Sequence, residues 1–167
     1  MARGLAIKLH SLGVKIAKLV TGGQTGVDRA ALDAALELGV PAGGWCPKGR
    51  WAEDGTIDPR YPLKETPSAD VAQRTEWNAR DSDATLILCE GAPVGGTDLT
   101  AVMAARYGKP CLIVDLAADG DLESAASRVE AWAAAGRYAV LNVAGPREST
   151  TPGIYQKSLS LLRRILR

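Results

Sequence analysis

The stretch TGGQTGVDRAALDAALELGV, Thr21 to Val40, follows the apolar run Val14, Ile16, Leu19 and Val20. Glycines placed where a strand turns into a helix let the backbone approach a neighbour or a ligand closely. The first free amides of the helix, with the positive end of its dipole, suit phosphate or another oxyanion. The helix is read from the stripe Val27, Ala31, Ala34, Ala35 and Leu38. The same turn has a purely structural reading, because Thr25 and Asp28 resemble a capping box with an acid in place of Glu.

Working outward, short apolar runs alternate with segments of helical period, the pattern of a mostly parallel sheet covered by helices on both faces. Strands are expected at Val14 to Val20, Ala42 to Trp45, Ala84 to Cys89, Pro110 to Asp115 and Tyr138 to Val143. Further helices carry Leu99, Val102, Met103 and Arg106, then Leu122, Ala125, Ala126, Val129 and Trp132. The last is expected to start at Thr151-Pro152, and Ser68 to Arg80 also reads as helical. The segment Cys46 to Pro67, rich in proline and charge, is expected to be a long irregular loop. The prediction is one three-layer α/β/α domain spanning residues 1–167, with Val14 to Val20 central.

All strand C-termini of such a sheet point to one edge, where ligands bind. Three glycine-bearing loops are placed there: Gly22 to Gly26, Glu90 to Asp98, and Ala144 to Thr151. Two familiar phosphate motifs are excluded. A Walker loop needs Lys after its last glycine, and Val27 stands there; a dinucleotide fold needs an acid after the second strand, where Lys48 stands. Lys48 suits a phosphate or a solvated loop position, and Trp45 suits core packing or stacking on a flat heterocycle.

At 167 residues with a net charge of +1, the chain has no global field to collect nucleic acid or an anionic membrane. No run is long and apolar enough for a membrane span, no signal peptide is convincing, and a cytoplasmic protein is expected. Cys46, Cys89 and Cys111 lack metal or disulfide spacing and read as core fillers, with Cys46 at a crevice edge. His10, the single histidine, lies outside every loop named and reads as an exposed N-terminal residue, so no Ser/His/Asp or Cys/His arrangement is available. Asp28 and Asp98 read as first-turn acids that stabilise their helices.

At these residues the chain resembles a known family. The motifs are G-G-Q-T-G-V-D-R from Gly22, G-G-W-C-P-K-G-R-x-A-E-D-G-x-I from Gly43, Y-P-L-x-E from Tyr61, R-T-x-x-N-x-R-D-S-D-A-T-L-I from Arg74, V-G-G-T-x-L-T from Val94 and L-N-V-A-G-P-R-E-S from Leu141. They look like the "putative molybdenum carrier" family, Rossmann-like proteins similar to molybdenum cofactor carriers and, more distantly, to the Lonely Guy phosphoribohydrolases. The resemblance spans about Val20 to Ser160. It implies that the cargo is the molybdenum cofactor or molybdate, that molybdenum enzymes are recipients, and that the protein is a dimer or tetramer.

It further implies ligand binding by Gly22, Gly23, Gln24, Thr25, Gly26, Lys48, Gly95, Gly96, Thr97, Arg147, Glu148 and Ser149, with Arg29, Arg50, Asn78 and Arg80 as second-rank candidates. Arg147 is the strongest anion partner, because its planar fork can hold oxyanion oxygens in pairs. The Lonely Guy motif P-G-G-x-G-T-x-x-E supplies the rival reading of a nucleotide hydrolase. Its Gly-Thr step laid on Gly96-Thr97 puts Thr100 at the glutamate position and Pro93-Val94 where two glycines are expected.

Overall fold

The computed structural model describes residues 16–118 and 120–167. A five-stranded sheet in the order β2-β1-β9-β7-β8 runs through the middle, parallel at every pairing. Its members are β1 (Lys18–Val20), β2 (Ala42–Gly43), β7 (Ala84–Cys89), β8 (Cys111–Asp115) and β9 (Val140–Ala144). The expected strand at Val14 to Val20 is shorter where described, and Val14 lies outside the described residues. The central place belongs to β9, not to β1. The last strand is inserted between the first and the third of the sheet, with Leu19 opposite Leu141 and Leu86 opposite Val143.

Every residue of β7, ATLILC, is buried, as a strand covered on both faces requires. Alternate side chains divide between the two faces. Leu86 and Leu88 join the main core with residues of α1 (Val27–Leu38), α4 (Leu122–Gly136) and α5 (Ile154–Leu166). Ile87 points the other way, to the side where α2 (Val71–Arg80) and α3 (Gly95–Arg106) pack together. The result is the expected Rossmann-like three-layer α/β/α arrangement.

The segment expected to be an irregular loop is built. β3 (Trp45–Cys46) pairs in parallel with β6 (Lys64–Glu65), and β4 (Trp51–Ala52) pairs with β5 (Gly55–Thr56) as a hairpin. The run expected as one strand at Ala42 to Trp45 divides at Gly44, whose φ of 121° breaks the extended path and admits the backbone of Thr21 against its Cα. Under the segment lies a second apolar cluster of Leu32, Cys46, Ala52, Ile57, Tyr61 and Leu63. Arg50 holds it together by donating to the carbonyls of Ile57, Asp58, Tyr61 and Leu63.

Helix starts differ from expectation for local reasons. α2 begins at Val71 because the Asp70 side chain accepts from the Ala72 amide at 2.9 Å. α5 begins at Ile154, two residues past the expected Pro152. Its first amides are taken by Glu148, which accepts from Gly153 N at 2.5 Å and from Tyr155 N at 3.2 Å. Cys111, expected in the core, is exposed on the edge strand, whereas Cys46 and Cys89 are buried. Among the described residues no helix is long and apolar enough to cross a membrane. His10 lies outside the described residues.

Candidate functional site

The three glycine-bearing loops follow β1, β7 and β9, which are neighbours in the sheet, so the topology brings them together at its C-terminal edge. There they open a cleft of about 430 Å³. One wall is Val94, Gly95, Gly96 and Thr97; the other is Pro146, Arg147, Ser149 and Thr150; Gln24, Asp28 and Arg74 also line it.

Each of the three loops leads into a helix, α1, α3 or α5, and the first amides of these helices are not equally free. At α1, Val27 N donates to Pro146 O at 3.3 Å, and a Cβ on Gly26 would meet Pro146 O and Glu148 N. That end is covered by the loop after β9. The expected Thr25–Asp28 capping box does not form; Asp28 instead reaches back to the Gln24 amide at 3.2 Å, and α1 has no side-chain cap. At α5 the Glu148 carboxylate occupies the terminus. At α3 the N-cap is Val94, whose apolar side chain cannot accept a hydrogen bond, and the Gly95 and Gly96 amides have no partner among the described residues. A Cβ on either glycine would meet nothing within 4 Å. Of the three dipole ends, α3 alone presents free donors to open space.

Across from it, the Asp28 carboxylate is buried and 3.4 Å from Arg74 Nη1. Burial pushes the Asp28 carboxyl up, and the Arg74 guanidinium and the Gln24 amide pull against that rise. Arg74 keeps a buried Nε with no hydrogen-bond partner. Arg147 lies 3.8 Å from Glu53 and not on Glu148. Both cations of the cleft thus face a carboxylate, and α3 carries the acidic Asp98 in its first turn, so the open donors are the amides of Gly95 and Gly96 themselves. The Thr100 hydroxyl, where a Lonely Guy glutamate would stand, donates to Gly96 O at 3.0 Å.

Of the residues expected to bind a ligand, Gln24, Gly95, Gly96, Thr97, Arg147 and Ser149 line this cleft. The others lie elsewhere. Gly22 backs onto Arg74, whose guanidinium a Cβ there would overlap. Gly23, at φ 83°, faces Leu63 and Ile57, so a side chain there would strike the second apolar cluster and not a ligand. Thr25 and Glu148 bond to each other, Glu148 N donating to Thr25 Oγ1 at 3.1 Å. With Gly26 they line a neighbouring cavity. Lys48 is exposed beyond β3 and lines none of the described cavities.

The second-rank candidates are engaged in structure. Arg29 pairs with Asp54 at 2.9 Å, and Arg80 pairs with Asp81 while lying over Trp77. Asn78 exchanges two hydrogen bonds with the backbone of Trp45. Trp45 itself donates to Asp81 and meets Trp77 edge to face, which is the packing reading. Cys46 is fully buried in the second cluster, away from any crevice.

Two residues were not singled out from sequence. Arg74 opens the R-T-x-x-N motif on α2, whose Val71, Arg74 and Thr75 also line the cleft. Glu53 lies in the A-E-D-G motif of the proline-rich segment. It accepts from Thr25 Oγ1, from Ser149 N at 3.2 Å and from Ser149 Oγ at 2.5 Å, and its own amide donates to Gln24 Oε1. These hydrogen bonds, Ser149 first, hold the Glu53 carboxyl below its ordinary range.

Comparison with known proteins shows the family and the fold. Residues 19–166 match the Circularly permutated YpsA SLOG family. A solved structure, the crystal structure of "Putative molybdenum carrier protein" from Syntrophus aciditrophicus SB, is 47% identical with a TM-score of 0.88, covering 91% of this chain and 96% of its own. No curated protein sequence matches the chain.

Proposed function

The chain belongs to the Circularly permutated YpsA SLOG family, and from that premise we propose that it is a carrier that holds a small phosphorylated or oxyanion ligand in the cleft before α3. The observation that carries this reading is the pair of unpartnered amides at Gly95 and Gly96 facing open space. The cargo is the molybdenum cofactor or molybdate, a reading supported by the carrier name of the 47% identical relative. Gly95 and Gly96 take the anion's oxygens, Arg147 closes on it from the opposite wall, and Gln24 and Ser149 add neutral hydrogen-bonding groups. Among the described residues no three of His, Cys, Asp and Glu are grouped to hold a metal ion. In this reading the metal arrives within an oxyanion or a pterin complex.

Carriage is favoured over hydrolysis because the position of the hydrolase glutamate is Thr100, whose hydroxyl is committed to the Gly96 carbonyl. Mass spectrometry and metal analysis of protein purified from cells, followed by titration with molybdenum cofactor, molybdate and AMP, test the proposal. Molybdenum at a fixed ratio to protein and a saturable site are expected. Failure of all three ligands to bind, or steady release of free adenine from AMP, overturns it.

A further inference from the structure

Four tryptophans occur in the chain, and three have settled partners. Trp45 and Trp77 meet edge to face with centroids 4.8 Å apart, and Trp132 packs on Tyr138 at 4.9 Å. Trp51 is different: 49% of it is exposed. An indole left this far in water on an ordered element is an unused apolar surface.

Its surroundings are fixed. Trp51 pairs with Thr56 in the β4–β5 hairpin, and the next residue, Ala52, is buried. The one after, Glu53, is tied to Gln24, Thr25 and Ser149 of the cleft loops. The ring is therefore carried on backbone anchored to the rim of the cleft. The Arg147 guanidinium lies 5.9 Å from the indole centroid, within cation–π range, and Arg147 also lines the cleft opposite Gly95 and Gly96. Arg147 thus touches both the wall of the cleft and the face of the Trp51 ring.

We propose that Trp51 is a stacking platform for the flat heteroaromatic ring of a phosphorylated ligand whose anionic end sits at the α3 N-terminus. This rests on the ligand reading above and adds to it the substrate class: ring plus phosphate, a nucleotide or a phosphorylated pterin, in preference to a bare oxyanion. Stacking on an aromatic side chain is tolerant of ring identity, because every such ring offers a π face. Trp51 thus supplies affinity for the ring and leaves the choice between nucleobase and pterin to contacts at the ring edge.

The test compares ring-bearing with ringless probes on the whole protein. AMP and a phosphorylated pterin are titrated against the parent, Trp51→Ala and Trp51→Phe, with inorganic phosphate and molybdate in parallel and elution volume recorded for each variant. In Trp51→Ala the ring-bearing probes are expected to weaken by roughly fivefold to a hundredfold, the range for loss of one stacking contact. Phosphate and molybdate should change by less than about twofold, and Trp51→Phe should keep most of the affinity. Unchanged affinity of Trp51→Ala for AMP and the pterin overturns the platform. So does equal weakening of all four probes, which would mean disturbed loops, or, with a shifted elution volume, a lost contact between copies. A parent that binds phosphate or molybdate but prefers neither ring-bearing probe sinks the platform and leaves the anion site standing; a parent that binds none of the four sinks both.

Discussion

Glu53 and Ser149, 96 positions apart, are joined by two hydrogen bonds, from the serine amide at 3.2 Å and from its hydroxyl at 2.5 Å. Through them the hairpin and the loop after β9 behave as one wall of the cleft. Glu53→Gln should lower the melting temperature at pH 7, by about 1 kcal/mol of stability, the scale of one hydrogen bond. Since the folded carboxyl titrates below its ordinary value of 4.5, its contribution is present above that value and lost as the pH falls through the folded pKa. Thermal melts of parent and variant from pH 7 to pH 3 should therefore converge; a gap that widens toward acid contradicts this role.

Arg74→Ala leaves the Asp28 carboxylate buried without its cation. Breaking such a pair costs about 3 to 5 kcal/mol. Burial already raises the Asp28 pKa, and removing Arg74 raises it further, so protonation relieves the penalty and the deficit should shrink as the pH is lowered from 8 toward 5. Arg74→Ala combined with Asp28→Asn should recover part of the loss at pH 8. Denaturant unfolding at several pH values measures both effects, and a pH-independent deficit would argue that packing alone is lost.

Two glycines of the same apparent motif should respond in opposite ways. Gly23→Ala forces a side chain into positive φ and against Leu63 Cδ1 at 2.5 Å, so it should destabilise by about 2 to 4 kcal/mol. Gly96→Ala meets nothing within 4 Å and lies in the first turn of a helix, so stability should hold or rise by up to about 1 kcal/mol. Molybdate and AMP affinity should fall in Gly96→Ala despite its intact fold. Calorimetric binding set beside melting curves separates the two effects.

Asp33 accepts from the hydroxyls of Tyr61 and Tyr155, each at 2.5 Å. Burial and Asp33 push Tyr155 up to about 12. The stability this represents is complete below the ordinary value of 10 and is lost as the pH rises toward 12. Ultraviolet titration of Asp33→Asn should show a tyrosine returning toward 10, and Tyr155→Phe should delete the late-titrating group. An unchanged titration curve in Asp33→Asn rules out this assignment.

What could be read from sequence was whatever depends on neighbours in the chain. The run ATLILC announced a doubly covered strand, and the Val27 to Leu38 stripe announced α1. The glycine loops were placed at one edge because parallel strands leave no other choice. Glu53 escaped because its partners Thr25 and Ser149 lie far from it in the chain, and no local pattern encodes that meeting. The start of α5 was misplaced because its cap, Glu148, reaches it from outside the helix and replaces the turn residues. The proline-rich segment read as irregular because its order comes from Arg50 donating to four backbone carbonyls and from a buried cluster, neither of which has a period.

The placement of β9 between β1 and β7 governs when the cleft can form. While the chain is being synthesised, everything up to Arg137 can emerge with β1 and β7 each still lacking the neighbour that joins them. Those edges have unpaired amides and carbonyls and are the ones most prone to wrong pairing. Only when Val140–Ala144 slots in do the Gly95–Gly96 amides acquire the opposite wall that Pro146, Arg147 and Ser149 provide. In the proposed carrier, cargo would load only once the segment from Val140 to Thr150 is in place, and a protease cut that frees that segment would discharge it.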